Sequence, residues 1–272
     1  MYSTPTGPPI KRLYIDAGVP VMSGVGIGLQ WEISPEFRHR ELSFDILFGH
    51  HPTDTFSKIA TVEGVDQYLD TERRVFHDTM STWYAIKTTD TVTGEFWFSP
   101  PQHAGAVWRK REWLIAREIV RQEQVRLERV RAGTRGYLLR RKSFGEECPV
   151  CVSPETHQVQ DPSCPTCFGT GIVGGYYPAS EVWLELQPER LLRRLDPDQG
   201  QLTHAVSSAR VLAYPPVNPN DYWVSAKSNR RYRVQEGVTK LAQIDEEPLV
   251  LGFDVQIEHM NHIIYQVPVE GL

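Results

Sequence analysis

Outside one stretch of twenty residues the chain has no cysteine at all. That absence excludes a disulfide framework spread over a small secreted fold. Long apolar runs are missing too. None approaches the roughly eighteen residues of a membrane span, so no membrane partner is expected. The N-terminal Met-Tyr-Ser-Thr-Pro-Thr-Gly-Pro-Pro lacks the apolar core of a signal peptide, and residues 1–12 are expected as a flexible arm. GxSxG, HExxH and Walker-type phosphate loops are likewise absent. Carboxylates are plentiful but never cluster with a nucleophile, so no catalytic residue and no enzymatic activity are expected.

With 272 residues there is room for two or three small domains, and 40% hydrophobic with 23% charged residues is ordinary for a globular chain. The net charge of −5 hides an uneven distribution. Val107 to Lys142 holds twelve Lys and Arg against four Glu, a balance of +8, which leaves 17 basic and 30 acidic groups, or −13, elsewhere. Such asymmetry marks a segment suited to an acidic partner, either nucleic acid or the acidic part of a neighbouring subunit.

All four cysteines lie in Cys148-Pro-Val-Cys151 and, twelve residues on, Cys164-Pro-Thr-Cys167. A two-residue gap lets one tight turn aim two thiolates at a single point. Two such turns complete a tetrahedral sulfur site with metal–sulfur bonds near roughly 2.3 Å. Gly169 and Gly171 supply the backbone freedom that a close approach to the sulfurs needs. Thioredoxin-like chemistry would require each pair between a strand and a helix, which neither has. Four sulfurs close the coordination shell, so the ion should staple rather than catalyse; zinc is expected, with iron open on the same ligands. His157, between the knuckles, is read as a solvated loop residue.

From about residue 13 to 101 the chain alternates like half-buried strands. Val25, Ile27, Leu29, Trp31 and Ile33 take every second position, as do Leu42, Phe44, Ile46 and Phe48. Turn signals at Ser34-Pro35, Gly49 to Pro52, Glu63-Gly64 and Thr93-Gly94 separate the runs, which argues for a β-sandwich. Gly24-Val-Gly26-Ile-Gly28 opens a strand rather than linking strand to helix, which excludes a dinucleotide loop. The segments 29–33, 42–46, 56–60, 83–87 and 95–99 resemble strands B, C, C′, F and G of a fibronectin type III domain. The resemblance implies a core role for Trp31 and a corner-closing hydroxyl for Tyr84.

Pro100-Pro101 ends that region, and Ala106 to Arg131 contains neither Pro nor Gly. Its strong helix formers predict a long helix within a basic connector over 106–144. The apolar stripe is thin, with Trp108, Ile115 and Ile119 on one line and Trp113, Val120 and Leu127 on another. Such a helix is a rod between domains or a contact between subunits. Its arginines lie all round rather than on one base-reading face, which leaves only non-specific phosphate contact with DNA open.

A zinc-knuckle segment is expected over 145–178, followed by a small β-barrel over 179–272. Glu181 to Leu186, Arg210 to Tyr214, Tyr232 to Val234, Leu249 to Ile257 and His262 to Tyr265 read as its five or six short strands. Gln187 to Ala209 reads as a polar linker, an exposed loop or a short arm. His50-His51 falls in a turn, and His259 and His262 fall in a late strand on opposite faces, which suits no shared metal.

The order of knuckles, Phe168-Gly-Thr-Gly171, Gly174-Gly-Tyr-Tyr177, Tyr214 to Asp221 and Asn229 to Val234 resembles virion proteins of tailed bacteriophages of the neck or head-closure type. Cys164 to Gly171 also resembles one repeat of bacterial J-type chaperones, which need four copies. The phage resemblance implies a structural protein of the virion neck, made in the host cytoplasm. It implies a homo-oligomeric ring, portal or adaptor and tail proteins as partners, and a structural zinc fixing an interdomain junction. Two other readings fit the same features. One is a nucleic-acid-binding zinc-ribbon adaptor; the other is a baseplate or adhesion component displaying a fibronectin-like domain.

Overall fold

The computed structural model describes residues 8–21, 24–72, 82–104, 110–187, 190–196, 200–244 and 247–269. The fold is mainly β. It divides into two compact units, one formed by residues 1–113, 142–158 and 171–173 and the other by 114–141, 159–170 and 174–272.

In the first unit β1 (Ile10–Val21), β2 (Gly24–Ile33) and β5 (Gln67–Asp70) form one antiparallel sheet in the order β1-β2-β5. A second sheet runs β4-β3-β6-β7 through Ser57–Glu63, Leu42–Gly49, Trp83–Asp90 and Phe96–Phe98, and β8 (Gln102–His103) also pairs with β6. The alternation read from the sequence has its physical counterpart here. Leu42, Phe44 and Ile46 are buried, while Ser43 and Asp45 between them are not. Trp31 of β2 meets Phe44 of β3 with ring centroids 5.0 Å apart, a contact between residues of the two sheets. Strand β1 starts at Ile10, inside the span expected as a flexible arm, because Ile10 pairs with Ile33 and Ser34 N–H donates to the Pro9 carbonyl at 2.7 Å. Residues 1–7 of that arm lie outside the described residues.

Among the described residues the connector contains one α-helix, α1 (Lys110–Gln124), extended by a π-helical turn over Val125–Arg129. The widened turn ends the helix: Val130 N–H reaches back to Val125 O and Gly133 N–H to Leu127 O, both at 3.0 Å. Ala116, Val120, Glu123 and Leu127 form its buried face, whereas Ile115, expected on an apolar stripe, is exposed. Trp108 lies outside the described residues.

The end of the expected helical connector is not helical but contributes a strand. Residues Thr134–Leu139 form β9, followed after residue 179 by β10 (Ser180–Leu186), β11 (Arg190–Asp196) and β12 (Gly200–Leu212). Four more strands complete the unit: β13 (Tyr222–Ser225), β14 (Arg231–Val234), β15 (Thr239–Ile244) and β16 (Glu247–Ile257). Strands β12, β10, β9, β13, β14 and β16 follow one another by antiparallel pairing, and β16 pairs back onto β12, which closes a six-stranded barrel. Sequence patterning therefore missed two of its six strands, β9 and β13. Both are short, and β9 carries a glycine among basic residues. The stretch expected as a strand at 262–265 is a 3-10 turn, Ile263–Gln266.

Trp223 fills the barrel centre and donates its Nε1–H to Val182 O at 3.3 Å. Gly136 of β9 makes room for it, since a Cβ there would stand 2.4 Å from the indole ring and 2.4 Å from Val224 O. The expected linker between 187 and 209 is largely a hairpin: Arg190–Asp196 pairs with Gly200–Val206, and only the second half of β12 enters the barrel.

Candidate metal centre

The chain leaves the barrel at Leu139 and returns at Ser180, so the cysteine segment is an insertion between two neighbouring staves. Asp221, just before β13, anchors its start. One carboxylate oxygen accepts from Arg141 N–H at 2.9 Å, and the other accepts from Asn218 N–H at 2.8 Å. Further in, Glu147 and Ile172 form an isolated antiparallel bridge, and Cys148 N–H donates to Gly171 O at 2.9 Å.

The two CxxC turns share one geometry. Val152 N–H returns to Cys148 O at 3.2 Å, and Phe168 N–H returns to Cys164 O at 2.8 Å. In each case the carbonyl of the first cysteine closes the turn, which points both thiols of the pair the same way. The second knuckle then winds through left-handed backbone at Phe168 (φ 52°), Gly169 (φ 78°) and Gly171 (φ 84°). Gly169 is doubly constrained, because a Cβ there would also lie 2.5 Å from Pro162 O. Thr170 ties the turn off by donating its hydroxyl to Cys167 O at 2.7 Å.

All four expected ligands, Cys148, Cys151, Cys164 and Cys167, come together. Each is buried, at 5% exposure or less, and none is in a disulfide. Their sulfurs all lie within 4.8 Å of one another. A tetrahedron with metal–sulfur bonds of roughly 2.3 Å has edges of about 3.8 Å, and sulfurs within 4.8 Å of one another are compatible with one ion at the centre. Four thiolates without a cation would repel one another in a site shielded from water, and a tetrathiolate-binding divalent ion removes that cost. The donor set therefore fits the implied metal. With every position taken by sulfur, the ion would hold the fold and leave no site for substrate or water. Nearby, burial holds the Lys142 ammonium below the usual lysine range while its Nζ donates to Val173 O at 3.1 Å.

The remaining histidines divide. His51 bonds locally to Thr53, and His262 caps the 3-10 turn by accepting from Ile264 N–H at 3.2 Å. His259 and His262 thus lie in a loop and a turn cap, not a strand, because the last barrel strand ends at Ile257. His157 is more engaged than a solvated loop residue: it contacts Glu147 at 2.8 Å and lies nearly parallel to His39, with centroids 5.5 Å apart. Sequence reasoning missed that cluster because His39 is more than a hundred residues away along the chain.

Part of the basic segment is paired with acidic side chains of the same chain. Arg121 makes a bidentate pair with Glu118 at 2.8 and 2.6 Å, which holds the Glu118 carboxyl down at about 2. Arg126 reaches Glu185 of β10 at 2.5 Å. No helix of the described residues is long and apolar enough to cross a membrane. No family model matches the chain, and no curated protein matches it.

Proposed function

We propose that this chain is a structural component of a tailed-phage particle, assembling as a ring at the neck, with zinc as the bound ion. The observation that carries the reading is the buried four-cysteine cluster, carried on the chain segment that joins two neighbouring staves of a closed six-stranded barrel. That combination agrees with the order of motifs on which the phage resemblance rests. A barrel filled by Trp223 and its apolar neighbours encloses no passage, so a channel wide enough for DNA requires several copies around an axis.

The β11–β12 hairpin supports assembly. Its outer half pairs with no third strand among the described residues, and such a two-stranded ribbon offers unpaired edges to a neighbouring copy. The first unit is proposed to be a fibronectin type III-like sandwich displayed on the particle surface. Segments matched to C′, C, F and G fall in one sheet in that order, and the segment matched to B falls in the other. Trp31 and Tyr84, to which the resemblance assigns core and corner roles, are both buried.

Zinc suits the site because a tetrahedral set of thiolates matches its preferred coordination, and its role is to fix the junction between the two β modules. Portal or adaptor and tail proteins are the proposed partners within the virion. Direct DNA reading has less support, because Glu118 and Glu185 already engage Arg121 and Arg126.

Native mass spectrometry of the purified chain, together with electron microscopy of gold-labelled particles, tests the reading. A closed oligomer in solution and label at the head–tail junction are expected. A chain that stays monomeric at high concentration, with label absent from the neck, would overturn it. Steeply salt-dependent binding of the monomer to duplex DNA would favour the nucleic-acid adaptor instead.

A further inference from the structure

A second constellation of metal-binding side chains lies wholly within the first unit. His39 follows the 3-10 turn Pro35–Phe37, while Glu147 and His157 belong to the first half of the cysteine-bearing insertion. Two hydrogen bonds bring these segments together: the Arg38 side-chain Nε–H donates to Ser143 O, and the Gly145 backbone N–H donates to Arg38 O, both at 2.8 Å. His157 is positioned by its own turn, in which its N–H donates to Ser153 O at 2.8 Å and its backbone is left-handed at φ 54°. A histidine held in that conformation is uncommon and costs backbone energy, which the surrounding contacts must offset.

The three side chains converge on one point. His39 Nδ1 lies 3.0 Å and His157 Nδ1 2.8 Å from the same Glu147 oxygen, and the second Glu147 oxygen is 3.1 Å from His157. All three ligand atoms lie within 4.8 Å of one another. Without a cation the carboxylate accepts a proton-mediated bond from each imidazole. One divalent ion can replace both protons and be bound by two ring nitrogens and a carboxylate oxygen. Tetrahedral coordination at roughly 2.0–2.1 Å asks for ligand spacings of about 3.4 Å, a few tenths beyond the two histidine-to-Glu147 distances.

From this geometry we infer that His39, Glu147 and His157 form a second metal site, separate from the four cysteines, that takes a divalent transition ion such as zinc. Its chemistry differs from that of the sulfur site. Nitrogen and oxygen donors replace thiolates, and three protein ligands leave a coordination position open. The side chains are 41%, 23% and 40% exposed in chain order, so water can reach that position. The ion there is exchangeable, whereas the buried tetrathiolate ion is not.

Metal stoichiometry and spectroscopy on the full chain test the inference. Zinc titration of the native protein should reveal two equivalents, the second removed readily by a mild chelator. His39→Ala and Glu147→Gln should each bind one equivalent while keeping the intense thiolate-to-metal absorption of the cobalt-substituted sulfur site. Copper(II) added to zinc-loaded native protein should show electron paramagnetic resonance couplings from two imidazole nitrogens. This last measurement needs no variant and stands even if a substitution perturbs folding. A native chain that holds one equivalent, or a copper signal without nitrogen coupling, overturns the inference. So does a second equivalent that survives both substitutions.

Discussion

Glu123 of helix α1 and Arg210 of strand β12 form a two-pronged ion pair, with both oxygen–nitrogen distances at 2.7 Å. Glu123 is 6% exposed, so its charge is compensated almost entirely by protein, with Arg126 adding a contact at 3.3 Å. The pair holds the helix to the barrel at the centre of its buried face. Removing one partner of a buried pair leaves the other charge in a poor solvent, typically costing about 3–5 kcal/mol. Because Arg210 is partly exposed, the expected loss for Glu123→Ala is nearer about 2–3 kcal/mol. Chemical denaturation should show it, and hydrogen exchange should place the loosening in α1 before the barrel.

Closure of the sulfur site is expected to be all-or-none. Cys148→Ser or Cys164→Ser should abolish tight metal binding, because three thiolates bind far less firmly than four. Limited proteolysis should then cut within residues 146–175 while the barrel strands stay protected. Metal analysis of the purified native chain should return one tightly held ion per four cysteines. A variant that kept its ion and its proteolytic pattern would contradict the role assigned to the cluster.

Gly136→Ala should be among the most damaging single-methyl changes in the protein. The added carbon would stand 2.4 Å from both the Trp223 ring and the Val224 carbonyl, and neither the barrel-filling ring nor the backbone can yield cheaply. Overpacking of this kind costs about 1–3 kcal/mol, with the upper end expected here. Gly64→Ala is the contrasting case, with backbone strain at φ 62° but nothing within 4 Å to crowd the new methyl. Thermal unfolding of the two variants checks the difference.

Acid sensitivity should trace in part to Asp90. Burial alone would raise its pKa, but the backbone N–H groups of Thr93 and Val92 and the Arg40 guanidinium stabilise the carboxylate and bring it below the ordinary value of 3.8. A folded-state value below the unfolded one means its contribution is complete above the usual aspartate range. That contribution is lost as pH falls through the folded value. Asp90→Asn should lower stability at neutral pH and flatten the decline below about pH 4. Urea unfolding at several acid pH values measures both effects.

Tyr84 crosses between the sheets of the first unit, donating its hydroxyl to Asp70 Oδ2 at 2.8 Å in a buried setting. Tyr84→Phe keeps the ring and removes the hydrogen bond to a carboxylate. The expected loss is about 1.5–3 kcal/mol, read as a shift in the unfolding midpoint.

What the sequence determined by itself was whatever depends on near neighbours. CxxC spacing set the two knuckle turns, and period-two alternation placed Phe44 and Ile46 on an inner face, because turn geometry and strand pleating act over a few residues. Tertiary structure decided what depends on closure. It recruited Thr134–Leu139 into the barrel ahead of the cysteine insertion, since a stave is defined by the strands on either side of it and not by its own pattern. It also gave the thin-striped helix a partner in Arg210 and brought His39 to Glu147 and His157. Those pairings join residues many tens of positions apart, and no local periodicity encodes a distance that only the folded backbone sets.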